Sequence, residues 1–284
     1  MGFLIVLLVL LPQAAVTPAP VAIEVEARAL QPGELVVLDI STTSPADGVT
    51  VRAFDRAVPV ARRDPNRWQA FLGIDLDVAP GRYAVQVEVA HGEARDRATQ
   101  ALDVVAKAFR TRQLTVDNAF VNPPAAVQKR IADEAAELSR IWRDSAPEPL
   151  WRGPFVRPVP QKANSAFGSR SIFNGQPRNP HGGADFLSPA GTPVKAPGGG
   201  RVVLARDLYY TGNSVVIDHG MGLVSLFAHL SAIDVEPGQT VSAGQVVGQV
   251  GATGRVTGAH LHWTLRADGA RIDPLSLLAV LGAR

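Results

Sequence analysis

The stretch Ala259-His260-Leu261-His262-Trp263-Thr264-Leu265 decides the fold of the C-terminal half of this chain. Successive side chains of a β-strand point to opposite faces, so its alternation of polar and apolar residues predicts a half-buried strand. His260 and His262 share one face, about 6.5–7 Å apart along the strand. Two adjacent imidazoles on that face indicate a candidate site, although a surface position explains a lone His-x-His about as often. The opposite, core-facing side carries Leu261, Trp263 and Leu265.

A second polar motif, His181-Gly182-Gly183-Ala184-Asp185, lies upstream. Its two glycines disfavour a helix, whereas a turn leading into a strand can bring an imidazole and a carboxylate to one point. Both groups bind zinc at about 2.0–2.2 Å, and three such donors with an open fourth position are typical of a catalytic zinc site. Together the two motifs predict such a site, formed by His181, Asp185 and His262.

The remaining histidines of this half are candidates for other roles. His260 lies beside the predicted metal without being needed as a ligand, so it is a candidate general base or transition-state donor. His229, two residues after Phe227 in a strand-like run, is a candidate for the paired role, and a buried, hydrogen-bonded histidine is the alternative. His219 is predicted to lie in a turn.

The rest of the chain predicts a mainly β protein. In residues 155–284 the pattern predicts a compact β domain, with strands at 201–205, 214–218, 223–228, 245–250 and 260–266. Residues 21–105 predict a small β-sandwich of immunoglobulin-like type, because short alternating segments follow one another between turn residues. Its predicted strands are 22–28, 34–40, 49–54, 68–74, 82–90 and 99–105, and His91 is predicted to be a solvated turn residue.

Residues 106–154 predict a linker that contains one amphipathic helix. Asn122-Pro123-Pro124 can start this helix, because proline is tolerated in a first helical turn. Charged residues, Glu134 among them, are predicted on its other faces. The apolar stripe recurs at helical spacing and consists of Val127, Ile131, Ala135, Leu138 and Trp142.

Residues 3–11 form an unbroken apolar run that ends at Pro12. The run is too short for a membrane-spanning helix, which needs about 20 residues, but it suits the apolar region of a signal peptide. A buried strand is the alternative. We therefore predict that residues 1–20 are a signal peptide or anchor and the only membrane contact. The protein would then be exported to the periplasm, the cell envelope or the medium.

Composition excludes several classes of function. The hydrophobic fraction of 46% and the charged fraction of 19% are those of a folded protein. A net charge of +2, with no run of basic residues, gives no support for nucleic-acid binding. The chain has no cysteine, which excludes thiol nucleophiles, disulfides and Cys-ligated zinc.

The order of these and several further motifs resembles that of the lysostaphin-like zinc metallopeptidases. The resemblance extends over residues 155–276, and an N-terminal immunoglobulin-like module occurs in a subgroup of that family. The motifs are Ser165-Ala-Phe-Gly168-Ser-Arg170, His181-x-Gly-x-Asp185, Gly191-Thr-Pro-Val-Lys-Ala-Pro197, His229-Leu-Ser231, Val235-Glu-Pro-Gly238, Val241-x-x-Gly244-Gln245, Gly251-Ala-Thr-Gly254 and His260-Leu-His262.

The resemblance implies an antiparallel β fold for the C-terminal domain, with the metal in a groove. It implies zinc on His181, Asp185 and His262, with His229 and His260 as the catalytic pair. It also implies hydrolysis of peptide cross-links in bacterial peptidoglycan, and a position for Asn174 where some relatives place a self-blocking ligand. The chain departs from the family pattern at Phe227, where relatives usually have tyrosine.

Two alternatives remain to be compared with an active endopeptidase. A non-catalytic wall-binding or amidase-activating member of the family is disfavoured, because all three predicted ligands are present. A biotinyl or lipoyl carrier resembles residues 235–250, but it needs a lysine at a hairpin tip, and no lysine follows Lys195. The N-terminal domain is also a candidate lid over the active-site groove.

Overall fold

A computed structural model describes residues 20–115, 123–164 and 167–283 of the chain. The predicted signal peptide or anchor therefore lies outside the described residues, apart from Pro20. None of the helices in the described ranges has the length and hydropathy needed to cross a membrane.

The N-terminal domain consists of two four-stranded antiparallel sheets. The first has the order β1-β2-β6-β5 and the second the order β4-β3-β7-β8. The strands are β1 (Val21–Ala27), β2 (Leu35–Thr42), β3 (Gly48–Ala53), β4 (Arg56–Val58), β5 (Val60–Asp64), β6 (Arg67–Gly73), β7 (Gly81–His91) and β8 (Ala94–Val104).

The two sheets enclose one hydrophobic core. Alternate residues of β2 and β7, such as Val36, Leu38, Val85 and Val87, point into it and are almost fully buried. Lettered along the chain as A, B, C, C′, D, E, F and G, the strands form sheets A-B-E-D and C′-C-F-G, the order of an immunoglobulin-like sandwich. The mainly β fold class is confirmed, and the strand order supports the immunoglobulin-like description.

Among its described residues, the linker contains the strand β9 (Thr111–Leu114) and the helix α1 (Ala125–Ile141). The helix is confirmed. The end of its predicted stripe, from Leu138 to Trp142, packs against an apolar patch on the outer face of the C-terminal sheet. Ala135, which was predicted in the stripe, is exposed.

Glu134 corrects the predicted distribution of charge on α1. The pattern placed it on an exposed face, yet it is 7% exposed. Its carboxylate accepts hydrogen bonds from Arg130 Nε at 2.6 Å and from the backbone N–H of Tyr209 at 2.8 Å. A buried carboxylate is tolerated when it is paired and hydrogen-bonded, and here it attaches the helix to the domain.

The C-terminal domain is built on a nine-stranded sheet with the path β12-β19-β16-β15-β14-β17, which β13, β18 and β20 extend. A separate small sheet has the order β11-β10-β9. The elements are β10 (Arg170–Phe173), β11 (Gln176–Pro177), β12 (Gly183–Phe186), β13 (Pro193–Lys195), β14 (Gly200–Leu208), β15 (Gly212–Gly220), β16 (Leu223–Ile233), β17 (Thr240–Val241), β18 (Val246–Val250), β19 (Leu261–Ala267), β20 (Ala270–Ile272) and α2 (Pro274–Leu281).

Helix α2 is an element that the sequence analysis missed. Asp273 caps it by accepting a hydrogen bond from the backbone N–H of Leu275, and Pro274 occupies its first turn. An Asp-Pro pair before an apolar run is a recognisable helix start. Periodicity could not identify this helix, because its residues are apolar on nearly every side.

The two domains share a core. Four apolar side chains of the sandwich join the main hydrophobic cluster of the C-terminal domain: Leu35, Val37, Ala61 and Phe71. Arg28 bridges Glu34 and Asp273, at 2.7 and 2.8 Å. Gly73 packs beside Ala270 at the end of the β19–β20 hairpin. The Gly73 contact lies at the opposite end of β19 from His262, and the role of the sandwich as a lid stays a prediction.

Candidate metal centre

The metal-ligand candidates come together through strand register. Asp185 of β12 lies directly across from His262 of β19, and His262 pairs on its other side with Ala228 of β16. The core-facing prediction for β19 is confirmed, because Leu261, Trp263 and Leu265 are fully buried.

Gly183 permits the close approach of β12 to β19. A Cβ atom at residue 183 would lie 2.4 Å from the carbonyl oxygen of Trp263 and 2.8 Å from His262 Nε2. Any side chain would therefore push β12 away from the strand that carries His262. The third residue of the His-x-Gly-x-Asp motif is glycine for this reason.

His181, Asp185 and His262 form one cluster that could hold a metal ion, with one donor atom of each within 4.8 Å of the others. Asp185 Oδ1 lies 3.1 Å from His181 Nε2 and 2.9 Å from His262 Nδ1. Donors of a tetrahedral zinc at 2.0–2.2 Å lie about 3.3–3.6 Å from one another, so each of these two contacts would lengthen by a few tenths of an ångström around the ion. The donor set, two imidazoles and one carboxylate, fits zinc.

The cluster keeps its carboxylate ionised. Burial alone would raise the pKa of Asp185, but hydrogen bonds from His181 and His262 outweigh burial and hold that pKa well below its usual range. Burial lowers the pKa of His262, despite its contact with Asp185. A charged carboxylate and a neutral imidazole are the forms that bind a metal.

Thr264 supports His262 from behind, a role that the sequence analysis missed. Its hydroxyl lies 2.9 Å from His262 Nε2. If His262 Nδ1 binds a metal, Nε2 carries the ring proton and its N–H donates a hydrogen bond to this hydroxyl. That hydrogen bond would fix the tautomer and the orientation of the ring. The alternation that pairs His260 with His262 places Thr264 on the same face, so the signal was present.

His229 and His260 stand beside this cluster as a pair, with ring centroids 4.9 Å apart. His260 Nε2 is 3.8 Å from Asp185 Oδ1. His260 Nδ1 donates to the carbonyl of Gly258 at 2.9 Å, and His229 Nδ1 donates to the carbonyl of Thr253 at 3.0 Å. In the neutral form of either ring the proton therefore lies on Nδ1, which leaves Nε2 as the proton acceptor.

His229 is held in a conformation that few residues adopt. Its φ is +64°, in the left-handed region, and the pairing of β16 shifts register on either side of it. Such irregularities redirect a side chain and are frequent beside active sites. Burial, and secondly the proximity of His262, lower the pKa of His229 to about 4.

His219 corrects the prediction of a turn histidine. It lies inside β15 and is fully buried, with Nδ1 donating to the carbonyl of Gly199 at 2.8 Å and Nε2 lying 2.9 Å from Ser225 Oγ. The strand continues to Gly220, two residues beyond its predicted end at residue 218. His91 ends β7, where its Nδ1 lies 2.9 Å from the carbonyl oxygen of Pro45.

Two further residues singled out from the sequence occupy defined positions. Asn174 lies in the turn between β10 and β11 with φ +50°, and its self-blocking role stays a prediction. Phe227 is fully buried and stacks on Trp263 with ring centroids 6.1 Å apart. Its side chain therefore belongs to the core.

Two arginines near the candidate site each stack on an aromatic ring. Arg255 lies 4.3 Å over the ring of Tyr210, and its backbone N–H donates to the carbonyl of that tyrosine. Arg178 lies three residues before His181, and its guanidinium is 5.8 Å from the centre of the Phe173 ring. Burial, and secondly the positive charge of Arg178, lower the pKa of Arg255.

Comparison with known proteins identifies relatives of this domain. Residues 179–274 match the model of peptidase family M23. A peptidoglycan DD-endopeptidase of Vibrio cholerae, ShyA, is 49% identical over 96 residues, which cover 34% of this chain and 22% of that protein. The DD-carboxypeptidase/endopeptidase Mpg of Neisseria meningitidis is 42% identical over 97 residues, with the same coverage of both chains. The chain thus matches about a fifth of the length of these relatives.

One solved structure resembles nearly the whole chain. A crystal structure described as a peptidase M23 from Pseudomonas aeruginosa is 33% identical, with a TM-score of 0.70. The match covers 89% of this chain and 97% of that one, so it includes the sandwich and the linker as well as the C-terminal domain. Because fold and sequence agree over this length, the chain belongs to peptidase family M23.

Proposed function

We propose that this protein is a zinc-dependent endopeptidase that hydrolyses peptide cross-links of bacterial peptidoglycan. The observation that carries the proposal is the arrangement of five side chains. Three can hold the metal, and two histidines beside them donate Nδ1–H to backbone carbonyls, so that Nε2 of the neutral ring can accept a proton. The relatives' names support the substrate.

The chain's own residues supply the proton transfers. A zinc ion held by His181, Asp185 and His262 supplies a Lewis acid, which acidifies water and polarises a scissile carbonyl. His260 or His229 takes the proton of the attacking water at Nε2. The protonated ring then donates a hydrogen bond to the oxyanion that develops, and it passes its proton to the leaving amine nitrogen as the scissile C–N bond breaks. The carbonyls of Gly258 and Thr253 hold the two rings in place throughout.

The bond cleaved is proposed to join two D-amino acids, because two of the relatives described above are named for DD activity. A neutral His229 at physiological pH suits a general base, since its lowered pKa leaves Nε2 unprotonated. Peptidoglycan lies outside the cytoplasm, so this function also needs the export predicted from residues 1–20.

The experiment is digestion of purified sacculi that contain D,D cross-links, with soluble muropeptides and bound zinc measured in parallel. We expect release of muropeptides, its loss on chelation and its return with stoichiometric zinc. Sacculi cross-linked by glycine bridges serve as the matched control. Zinc-loaded protein that binds the sacculi and releases nothing would instead identify a non-catalytic wall-binding protein.

A further inference from the structure

The metal ligand His181 is on a loop, whereas Asp185 and His262 are on paired strands. Residues 168 and 169 hold the loop: Gly168 N–H donates to the carbonyl of His181 at 2.8 Å, and His181 N–H donates to the carbonyl of Ser169 at 2.9 Å. The position of His181 therefore depends on what holds residues 168 and 169.

The linker holds this loop through a strand. Strand β9 pairs with β10 in parallel register, from Arg170 against Thr111 to Phe173 against Leu114. The N–H of Arg170 also donates to the carbonyl of Arg110 at 2.8 Å. One edge of the loop that leads to His181 is therefore completed by residues that immediately follow the sandwich.

Phe109 fixes the same loop by filling the space beside Gly168. A Cβ atom at residue 168 would lie 2.1 Å from the Phe109 ring, and Gly168 has φ +74°. The glycine is required twice here, by its backbone conformation and by the ring above it. Lys107 lies 5.6 Å from the centre of that ring and also pairs with the buried Glu34 at 3.0 Å, which connects the ring to the sandwich.

The sandwich contacts the loop directly as well. Phe167 is buried, and its ring lies where a Cβ atom at Gly33 would be, at 2.3 Å. Gly33 is itself bonded to the C-terminal domain, because its carbonyl accepts the N–H of Asp273 at 2.8 Å. Both aromatic rings beside the loop thus contact the N-terminal part of the chain or belong to it.

We propose that Phe109 and strand β9 are positioning residues for the metal ligand His181. The sandwich and its linker are then part of the hydrolytic unit, rather than a lid or a separate binding module. The inference rests on the proposed function, because it takes His181 as a ligand of the metal.

The test is zinc affinity of the full chain, measured by competition with a chromophoric chelator. Phe109→Ala is expected to weaken zinc binding by about 10-fold to 100-fold, the range seen when groups that orient a ligand are removed. Phe109→Leu, which fills much of the ring's space, should restore most of the affinity. Phe54→Ala is the matched control, because Phe54 is also half-buried but packs on Tyr83 within the sandwich.

A double substitution sharpens the result. Gly168→Ala places a methyl group where the ring lies and is expected to weaken zinc binding as well. If the two residues act through one contact, Phe109→Ala with Gly168→Ala loses less affinity than the product of the two single losses. Independent, multiplying losses would contradict the contact.

Two outcomes separate the possible failures. Wild-type zinc affinity in Phe109→Ala, or an equal loss in Phe54→Ala, overturns the positioning role while the proposed function stands. Unchanged zinc affinity in His181→Ala overturns the ligand assignment, and the positioning role with it.

Discussion

The two ends of the hairpin formed by β15 and β16 each hold a buried histidine, and the two histidines are used differently. At the turn end, His219 engages both ring nitrogens, one with the carbonyl of Gly199 and one with Ser225 Oγ. At the open end, His229 engages Nδ1 with Thr253 and turns its ring toward His260 and His262.

Burial is the largest cause that lowers the pKa of both histidines, to about 4 in each case. A perturbed pKa therefore does not distinguish a structural histidine from a functional one. The distinction lies in whether a ring nitrogen remains available toward a reactive cluster.

The largest effect is expected at the metal cluster beside the open end. His262→Ala removes one of the three proposed ligands and should abolish zinc binding, with a loss of peptidoglycan hydrolysis above about 1000-fold. Metal content by mass spectrometry and muropeptide release measure the two effects. A zinc-free variant with full activity would remove His262 from the ligand set.

His229→Ala tests the open end itself. We expect bound zinc to remain and kcat to fall by about 100-fold to 10,000-fold, the usual contribution of general acid–base catalysis. His260→Ala is expected to behave in the same way, because the two rings form one pair. If His260→Ala loses zinc instead, then His260 is the ligand and the roles of the two β19 histidines are reversed.

Thr264→Val should have a smaller effect on the same cluster. The substitution keeps the shape of the side chain but removes the hydroxyl that accepts a hydrogen bond from His262 Nε2. Zinc affinity should therefore fall by about 10-fold to 100-fold. Chelator competition measures this change. Thr42→Val, at a buried hydroxyl in the sandwich, is the matched control and should leave zinc affinity unchanged.

The smallest effect on activity is expected at the turn end, which holds His219. There the measured quantity is the free energy of unfolding as a function of pH. Because the pKa of His219 is about 4 in the folded protein and about 6.5 when unfolded, the unfolded state binds more protons between these values. Stability from this residue is therefore complete above pH about 6.5 and is lost as the pH falls toward 4, by about 3 kcal/mol in all.

The measurement is chemical unfolding of the metal-free protein at pH 4 to 7.5, with His219→Gln for comparison. The variant should show a flatter dependence of unfolding free energy on pH, because it lacks the titrating group. Folded His219→Gln protein should hydrolyse peptidoglycan at the rate of the unsubstituted protein. An equally steep dependence in His219→Gln would show that other groups cause the loss.

The alternation of residues 259–265 determined the burial of β19 and the face that carries His260 and His262. Strand periodicity is a local property, so a single segment of sequence reveals it. The order of the motifs likewise identified the family. The same alternation contained the signal for Thr264, which would have been found by following the polar face one residue pair further.

Other features depended on contacts between distant parts of the chain. The two ring nitrogens of His219 contact the carbonyl of Gly199 and the hydroxyl of Ser225, and no residue next to His219 in sequence indicates these contacts. Glu134 is buried only because Tyr209 offers a backbone N–H to it across the α1 contact. Alternate residues of β2, Leu35 and Val37, join the core of the C-terminal domain. The sequence pattern predicts their common face but not the domain against which that face packs.

The sequence alone therefore determined the mainly β class and the candidate residues, because strand alternation and motif order are local. Only the tertiary structure decided how those residues meet. It set Asp185 across from His262 by register and turned His229 into the cluster through an irregular strand. It also placed Phe109 of the linker over the loop that carries His181, because packing between distant segments has no local signature in the chain.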